Sequence, residues 1–531
     1  VESVLNCAVP FARTNWDTPL GALVAVLVLA SSAGFLHAAG VTLVTHGENG
    51  TTTGWISGMA TNALSPRLGG DVPVYRINVT SNATGLVTSV AKVAGGSPLT
   101  STNGELIVML DWGAVSSGNP TTFDVAGVVA PLFAQTNLIA ELGGHALAEW
   151  PIHIMGHSRG GSLVCELSKL LGESGLWVDQ VTALDAHPLN GDAPVAAYES
   201  VLFADSYFET NSFLHLADGQ RMPGSHWRQQ TVASGGYTGI YDWHSDVHLW
   251  YHGTIELATP ASDTEAQIDA SMRSNWWAAV EQQGTNAGFL YALAGGGNRL
   301  STLQPNGATF SSPIRDGVNQ RYDLGAGVTN NRTALPFNTG DWPNVIQLRL
   351  LTTNPVAQGT SAQLHIDFQW AVSVSQTQQV QVFLDSDRNP LNGNERLALA
   401  GTASGTTGSQ IGSGTITVPL DATNAPAGNY TVFVKVTAGA RSRYLYAGDV
   451  LTVVPSTAPP WLDIAADTGG GVVVGVNGVA GQTVIVQQAD AFGTWQSVAT
   501  NLLAAPRWVI PMPATSANTF YRAVVATPLA H

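Results

Sequence analysis

Charge is scarce in this chain. Asp, Glu, Lys and Arg make up 11% of its 531 residues, against roughly a quarter in an ordinary soluble protein. Solubility must then come from Gly, Ser, Thr, Asn and Gln, a composition common in secreted proteins. The charge that is present is mostly of one sign. The formal net charge is -16 and no stretch is rich in Lys or Arg, which argues against nucleic acid or an anionic membrane as partner. Cysteine is almost missing. With only Cys7 and Cys165, a disulfide framework is not what stabilises the fold. Cys165 sits in a helix-like stretch with no base near it in sequence, so it reads as a small buried apolar residue. No H-E-x-x-H motif occurs. Apolar residues are plentiful at 44%, and the length calls for two to four domains.

The one long apolar run is "PLGALVAVLVLASSAGFLHAAG", residues 19–40. It is short, lies near the start and ends in small residues, the pattern of a signal-peptide core with cleavage near Ala38 or Ala39. Its charged flank is thin, with Arg13 the only cation before it. The competing reading is an N-terminal anchor helix, because about nineteen apolar residues just span a bilayer. Residues 1–39 are therefore expected to be a signal peptide or anchor, and the protein secreted or held at the outer surface.

From Val41 to about Val280, short β-branched runs alternate with mixed segments. "VTLVTHG" (41–47), "VPVYRINV" (72–79), "ELIVMLDW" (105–112), "PIHIMGH" (151–157), "QVTALDAH" (180–187) and "VLFADSYF" (201–208) read as buried strands. Residues 123–142, 159–174 and 264–283 have helical spacing. This alternation predicts a mainly parallel sheet flanked by helices over 40–290. Residues 291–340 read as a linker. Alternating strands at about ten-residue spacing then predict a β-sandwich over 341–455. After a proline hinge comes a smaller one over 461–531. Both sandwiches are expected to be Ig/fibronectin-like.

Inside the first domain, "GHSRGG" breaks an apolar strand and opens a helix. G-x-S-x-G spacing suits a nucleophile on a strained strand-to-helix turn, where glycines let strand and helix approach closely. The helix N-terminus also aims amide N–H groups at developing negative charge. Ser158 is the expected nucleophile, with a structural serine as the bland alternative. Acyl transfer further needs an acid, a base and oxyanion donors. Asp185, at the end of the strand in "VTALDAHP", is the expected acid and Asp205 the runner-up. A carboxylate there costs desolvation unless it is paired. "YDWHSDVHLWYHGTI" (241–255) offers His244, His248 and His252. His248 is taken as the base, with the other two packing or bonding nearby. Three histidines at four-residue spacing also invite a metal reading. That needs a helix, whereas Trp, Tyr, Val, Ile and Gly253 favour loop and strand, so no metal is expected. The oxyanion donors are the N–H groups of Arg159 and Glu48, with the Arg159 side chain expected to pair with Glu48.

Taken together, these pieces resemble the α/β-hydrolase lipases and esterases, most closely the pancreatic-lipase-like branch. They are "VTHGENGTTTGW", "VMLDWG", "GHSRGG", "TALDAHP" and "DVHLWY" in this order. The resemblance implies Ser158 as nucleophile, Asp185 as acid and His248 as base. Glu48 stands where that family usually has an apolar residue, and the disulfides that brace the branch are missing, as in a bacterial secreted relative. A further pattern, "DSDRNPLNGNE" (385–395), imitates the start of a calcium loop with Asp385, Asp387 and Asn389. Pro390 replaces its glycine and Arg396 its glutamate. An irregular Ca²⁺ site or a polar turn are the two readings; no other cofactor is expected. The expected function is a secreted serine hydrolase cleaving carboxylic esters, with an insoluble lipid or polyester surface as a suitable substrate and no stable protein partner. The competing readings are an adhesion protein with an inactive hydrolase-like domain, and an amidase or peptidase using the same residues.

Overall fold

The computed structural model describes residues 39–101, 104–210, 215–230, 235–257, 260–269, 271–276, 288–296, 317, 319, 332–335, 342–352, 354–372, 376–405, 408–421, 424–455, 460–466, 471–479, 482–490, 494–504, 507–512 and 519–526. The expected signal peptide or anchor and most of the expected linker lie outside these residues. Among the described residues no helix is long and apolar enough to cross a membrane.

The first part of the chain forms one eight-stranded sheet. Its strands are β1 (Val41–Thr45), β2 (Val74–Asn82), β3 (Gly85–Ala94), β4 (Leu106–Asp111), β5 (Ile152–His157), β6 (Val178–Leu184), β7 (Val201–Phe208) and β8 (His226–Gln229), in the spatial order 3-2-4-1-5-6-7-8. All neighbours run parallel except the β2–β3 hairpin. β1, β5 and β6 are buried along their whole length, as strands covered on both faces must be. All six expected strands are present; β3, which forms a hairpin with β2, and the short β8 are additions to them.

The flanking helices are α1 (residues 55–67), α2 (Thr122–Val129), α3 (Arg159–Glu173) and α4 (Asp242–Ile255). α1 contains a π-helical turn, Gly58–Leu64. α2 starts from a capping box between Thr121 and Asp124, which satisfies its first free N–H groups. It covers only the first part of the expected 123–142 helix, because the chain tightens into a 3-10 turn at Ala130–Ala134, where Pro131 enters. Of the expected helix 264–283, residues 264–269 and 271–272 are turns and coil and Arg273–Trp276 is a single helical turn; 277–283 lie outside the described residues.

The strand order reverses around β1. Strands β2 to β4 lie on one side of it and β5 to β8 on the other. In an open α/β sheet the loops leaving the strand ends diverge at such a point and leave a crevice. Thr45 of β1 is in register with Gly156 of β5, and His157 of β5 with Leu184 of β6. The residues that follow these three strands therefore meet at one place, the carboxyl end of the sheet beside the reversal.

The second part of the chain is built of antiparallel sheets. β9 (Pro343–Leu350), β11 (Thr360–Val372) and β14 (Gly408–Leu420) form one. β10 (Val356–Ala357), β12 (Gln376–Asp385), β13 (Arg396–Gly405), β15 (Gly428–Ala438) and β16 (Arg441–Val454) form another, in which only the short β10 runs parallel to its neighbour. Leu364, Val382, Val434 and Leu451 are among the buried residues of their common core. Two three-stranded sheets follow. The first holds β17 (Trp461–Ala466), β18 (Val472–Asn477) and β21 (Arg507–Met512), the second β19 (Thr483–Ala489), β20 (Gln496–Leu502) and β22 (Phe520–Val525).

The β9–β16 unit is fused to the α/β unit. Trp342, Phe433, Tyr444 and Tyr446 belong to the same apolar cluster as Trp150, Leu176 and Ile152. Asn344 is buried and bonds across the junction: its Oδ1 accepts from Trp177 N at 2.9 Å and its Nδ2 donates to Gly175 O at 2.9 Å. Asn389 donates to the carbonyls of Pro98 (2.5 Å) and Ser101 (2.7 Å). These contacts precede β4, β5 and β6 in the chain, so they lie at the amino end of the sheet, opposite the crevice. Asn344→Ala would strand a buried N–H and C=O of the backbone. We expect a loss of about 2 kcal/mol, read as a lower denaturant midpoint of the full-length chain; an unchanged midpoint would contradict this account of the junction.

Candidate active site

β5 ends at His157, and Ser158 turns the chain into α3 with φ 59 and ψ -129. This backbone conformation is strained for a residue with a side chain. The turn is possible because its neighbours are small. A Cβ on Gly156 would run into the carbonyl of Gly160, and one on Gly160 into that of His46. Ser158 stays partly accessible while Arg159 and Gly160 behind it are buried. Its N–H donates to Leu184 O (2.9 Å) and its carbonyl accepts from His187 N (3.0 Å), which clamps the turn to the end of β6.

Asp185 follows β6, fully buried and also in a left-handed conformation, φ 45. Its Oδ1 accepts from Glu209 N at 2.7 Å, and its Oδ2 lies 2.5 Å from Nδ1 of His244. The carboxylate accepts a hydrogen bond from Nδ1–H, so the lone pair of His244 is on Nε2. The runner-up, Asp205, is buried elsewhere, accepting from Gln180, Thr182 and Tyr207.

The histidine beside the acid is thus His244, and the expectation for His248 needs correction. The segment is not loop and strand but helix α4, with Val247, Trp250, Tyr251 and Ile255 buried at helical spacing. Burial of that apolar stripe outweighs the modest helix propensity of its aromatic and β-branched residues. His244 lies in the first turn, at the mouth of the crevice. His248 is one turn further, about 6 Å along the axis, where its ring stacks on Trp55 at 4.1 Å. Its Nδ1 is 4.0 Å from Asp263 Oδ2. His252 bonds Ser262 Oγ at 2.7 Å. The helix puts all three on one face, yet no group of three or more His, Cys, Asp or Glu among the described residues is placed to hold a metal.

Burial sets the protonation of these rings. Desolvation, with the nearby His187, holds His244 below the ordinary imidazole value of 6.5. Desolvation also drives His157 and His248 well below it, and pushes the Asp185 carboxyl up. His244 is therefore the free base at neutral pH, able to take a proton on Nε2.

The chain after β1 completes the crevice. A Cβ on Gly47 would lie 2.5 Å from Ser158 Cβ and 2.8 Å from its Oγ, so the bare backbone of Gly47 faces the serine. The Gly47 carbonyl accepts from His46 Nδ1 at 2.8 Å and from Gly50 N at 3.3 Å. In a trans peptide the N–H of the next residue points the opposite way. Glu48 N–H is thereby turned away from His46. His46 is itself stacked on Trp112 and accepts from Trp112 N at 3.3 Å.

The expected Glu48–Arg159 pair does not form. Glu48 is exposed. Arg159 is buried and binds Asp192 through Nε (2.7 Å) and Nη2 (2.8 Å). It also donates to the carbonyls of Ser116, Gly118 and Pro120. Asp192 is placed to bind the guanidinium with both oxygens inside the protein, whereas Glu48 lies at the surface. Arg159 thus ties two loops at the rim of the crevice. His157, Asp192 and Trp55 were given no role from sequence, and His46 only a place in the oxyanion turn. The helical spacing of 247, 250, 251 and 255 was the available signal for α4.

The side chains of the calcium-like pattern are engaged in hydrogen bonds. Asp385 Oδ2 accepts from Tyr446 OH at 2.6 Å, Asp387 Oδ2 from the amides of Asn392 and Asn394, both at 2.8 Å, and Asn389 presents its Nδ2 to the α/β unit. Asn389 thus docks the loop on the α/β unit.

No family model matches the chain, and neither does any curated protein sequence. Solved structures similar to parts of it include the human OSCAR ligand-binding domain (TM-score 0.20, 14% identity, 35% of this chain and 90% of that one). The C-terminal domain of wzt is another (TM-score 0.17, 8% identity, 22% and 74%). A third is the CARDB domain of the PF1109 protein from Pyrococcus furiosus (TM-score 0.15, 11% identity, 21% and 90%). Likenesses at this level do not bear on function.

Two expectations follow from the crevice. Gly47→Ala should lower the unfolding midpoint of the full-length chain, since the new methyl would lie 2.5 Å from Ser158 Cβ; a wild-type midpoint would contradict the packing described. Because burial lowers His244, the base stays unprotonated as pH falls past 6.5. The ring protons of His244 should then titrate by NMR with a midpoint below 6.5, and a midpoint at or above 6.5 would contradict it.

Proposed function

We propose that this protein is a serine hydrolase of the α/β-hydrolase type that cleaves carboxylic esters through Ser158, His244 and Asp185. The observation that carries the reading is the 2.5 Å contact between His244 Nδ1 and Asp185 Oδ2, on residues that adjoin a serine with φ 59 at a strand-to-helix turn. A structural serine has no need of a strained backbone, and a buried Asp–His pair beside it is costly unless it is used.

In this reading Ser158 Oγ attacks the ester carbonyl. His244 Nε2 takes its proton and passes it to the leaving alkoxide. Asp185 holds the imidazole with Nε2 free and stabilises the imidazolium that forms. The N–H groups of Arg159, at the start of α3, and of Glu48 stabilise the oxyanion. His46 supports the second donor by holding the Gly47 carbonyl behind it. Water then attacks the acyl-enzyme, with His244 acting in reverse. Apart from the water, side chains and backbone amides of the chain supply the groups these steps use.

The exposed apolar residues Ile240 and Tyr241 directly precede α4, and Leu216 lies in the loop whose Asp218 carbonyl bonds His187. Apolar side chains so close to the acid–base pair favour an apolar acyl group. The low charge of the chain suits an extracellular setting. In a p-nitrophenyl ester assay, Ser158→Ala is expected to lose roughly 10⁴-fold or more in kcat and His244→Ala a similar factor, whereas His248→Gln keeps most activity. Equal rates in wild type and Ser158→Ala would refute the proposal. Loss on changing His248 but not His244 would return the base to His248.

A further inference from the structure

We propose that His157, the residue before the nucleophile, is a positioning residue for the base: its Nε2–H holds the backbone carbonyl of His244 and so sets the separation between Ser158 and the imidazole. The inference rests on the hydrolase reading above and adds a residue to it.

α4 starts without a side-chain cap at Tyr241. Its first turn, the one that carries His244, therefore lacks the usual local anchor. Among the described residues, two hydrogen bonds tie that turn to the sheet. One is the contact of the His244 ring with Asp185. The other runs from His157 Nε2 to His244 O at 2.9 Å. They act on different parts of the residue. A ring held only at Nδ1 can pivot about that bond, and Nε2 swings. Holding the backbone carbonyl as well removes this freedom. Because His157 is covalently joined to Ser158, one short connection spans nucleophile and base.

The surroundings of His157 fit this role. The residue is buried, with its ring 4.4 Å from that of His244, 4.7 Å from His248 and 5.8 Å from Trp55. A phenylalanine or leucine would fill such a place without the cost of burying a polar ring. The bond to His244 offsets that cost. A carbonyl can only accept, so Nε2 carries the proton and the ring acts as a neutral donor. Misplacing a reacting group by about 1 Å costs on the order of 100-fold in rate, and that is the displacement this bond opposes.

Two full-length variants test it. Gln places its amide nitrogen as many bonds from Cα as Nε2 and can donate; Phe keeps the ring and cannot. We expect His157→Phe to lower kcat about 10- to 100-fold with KM unchanged, and His157→Gln to restore most of it, both with the wild-type unfolding midpoint. His157→Leu replaces Phe as the donor-free variant if the Phe protein does not fold. A second readout needs no turnover: the low-field proton resonance of the His244–Asp185 hydrogen bond should shift or broaden in the donor-free variant and persist in Gln. A donor-free variant with wild-type kcat, equal defects in Gln and Phe, or an unmoved resonance would overturn the proposal. If wild type hydrolyses no ester, the hydrolase reading falls instead, and the resonance alone decides the role of His157.

Discussion

The turn at Ser158 is the constraint on which the rest of the candidate site depends. A side chain can be presented from the end of a parallel strand only if the chain reverses sharply into the following helix, and that reversal places Ser158 at φ 59. The strain is held by close packing on three sides. Gly156 and Gly160 let strand and helix meet, the Leu184 carbonyl and His187 N–H grip the turn, and Gly47 brings the end of β1 against it. Each depends on register. Because Thr45 pairs with Gly156 and His157 with Leu184, the residues just beyond β1, β5 and β6 fall side by side.

Around this turn the polar groups divide the work of position and chemistry. Asp185 and His157 hold two parts of His244, the ring and the backbone carbonyl. Arg159 is spent on structure: its guanidinium is taken up by Asp192 and three carbonyls, which leaves only its N–H for the proposed oxyanion. The deeper histidines, His248 and His252, are buried in aromatic and hydroxyl contacts. Desolvation favours the neutral form of His248.

The β9–β16 unit meets the sheet at its amino end. Asn344, Arg443 and Asn389 all contact segments that precede β4, β5 or β6. The junction is a continuation of the core, as the shared burial of Trp150 and Tyr444 shows. This bears on why a calcium-like pattern occurs at 385–395: its Asp and Asn side chains shape a turn whose tip bonds to Pro98 and Ser101.

Local pattern in the sequence determined most of the sheet. Each buried strand announces itself as an apolar run, and G-x-S-x-G with its glycines marks the turn at Ser158 without reference to anything distant. The placement of Asp185 after a strand was legible for the same reason. Tertiary structure alone decided which histidine meets that acid. Residues 244 and 248 share a face at four-residue spacing whether the segment is helix or strand, so spacing cannot rank them. The choice depends on how far along α4 the sheet ends, a fact set by packing of Val247, Trp250 and Tyr251. The partner of Arg159 was hidden likewise, because Asp192 is brought to it by the fold of a loop and no local pattern encodes that approach.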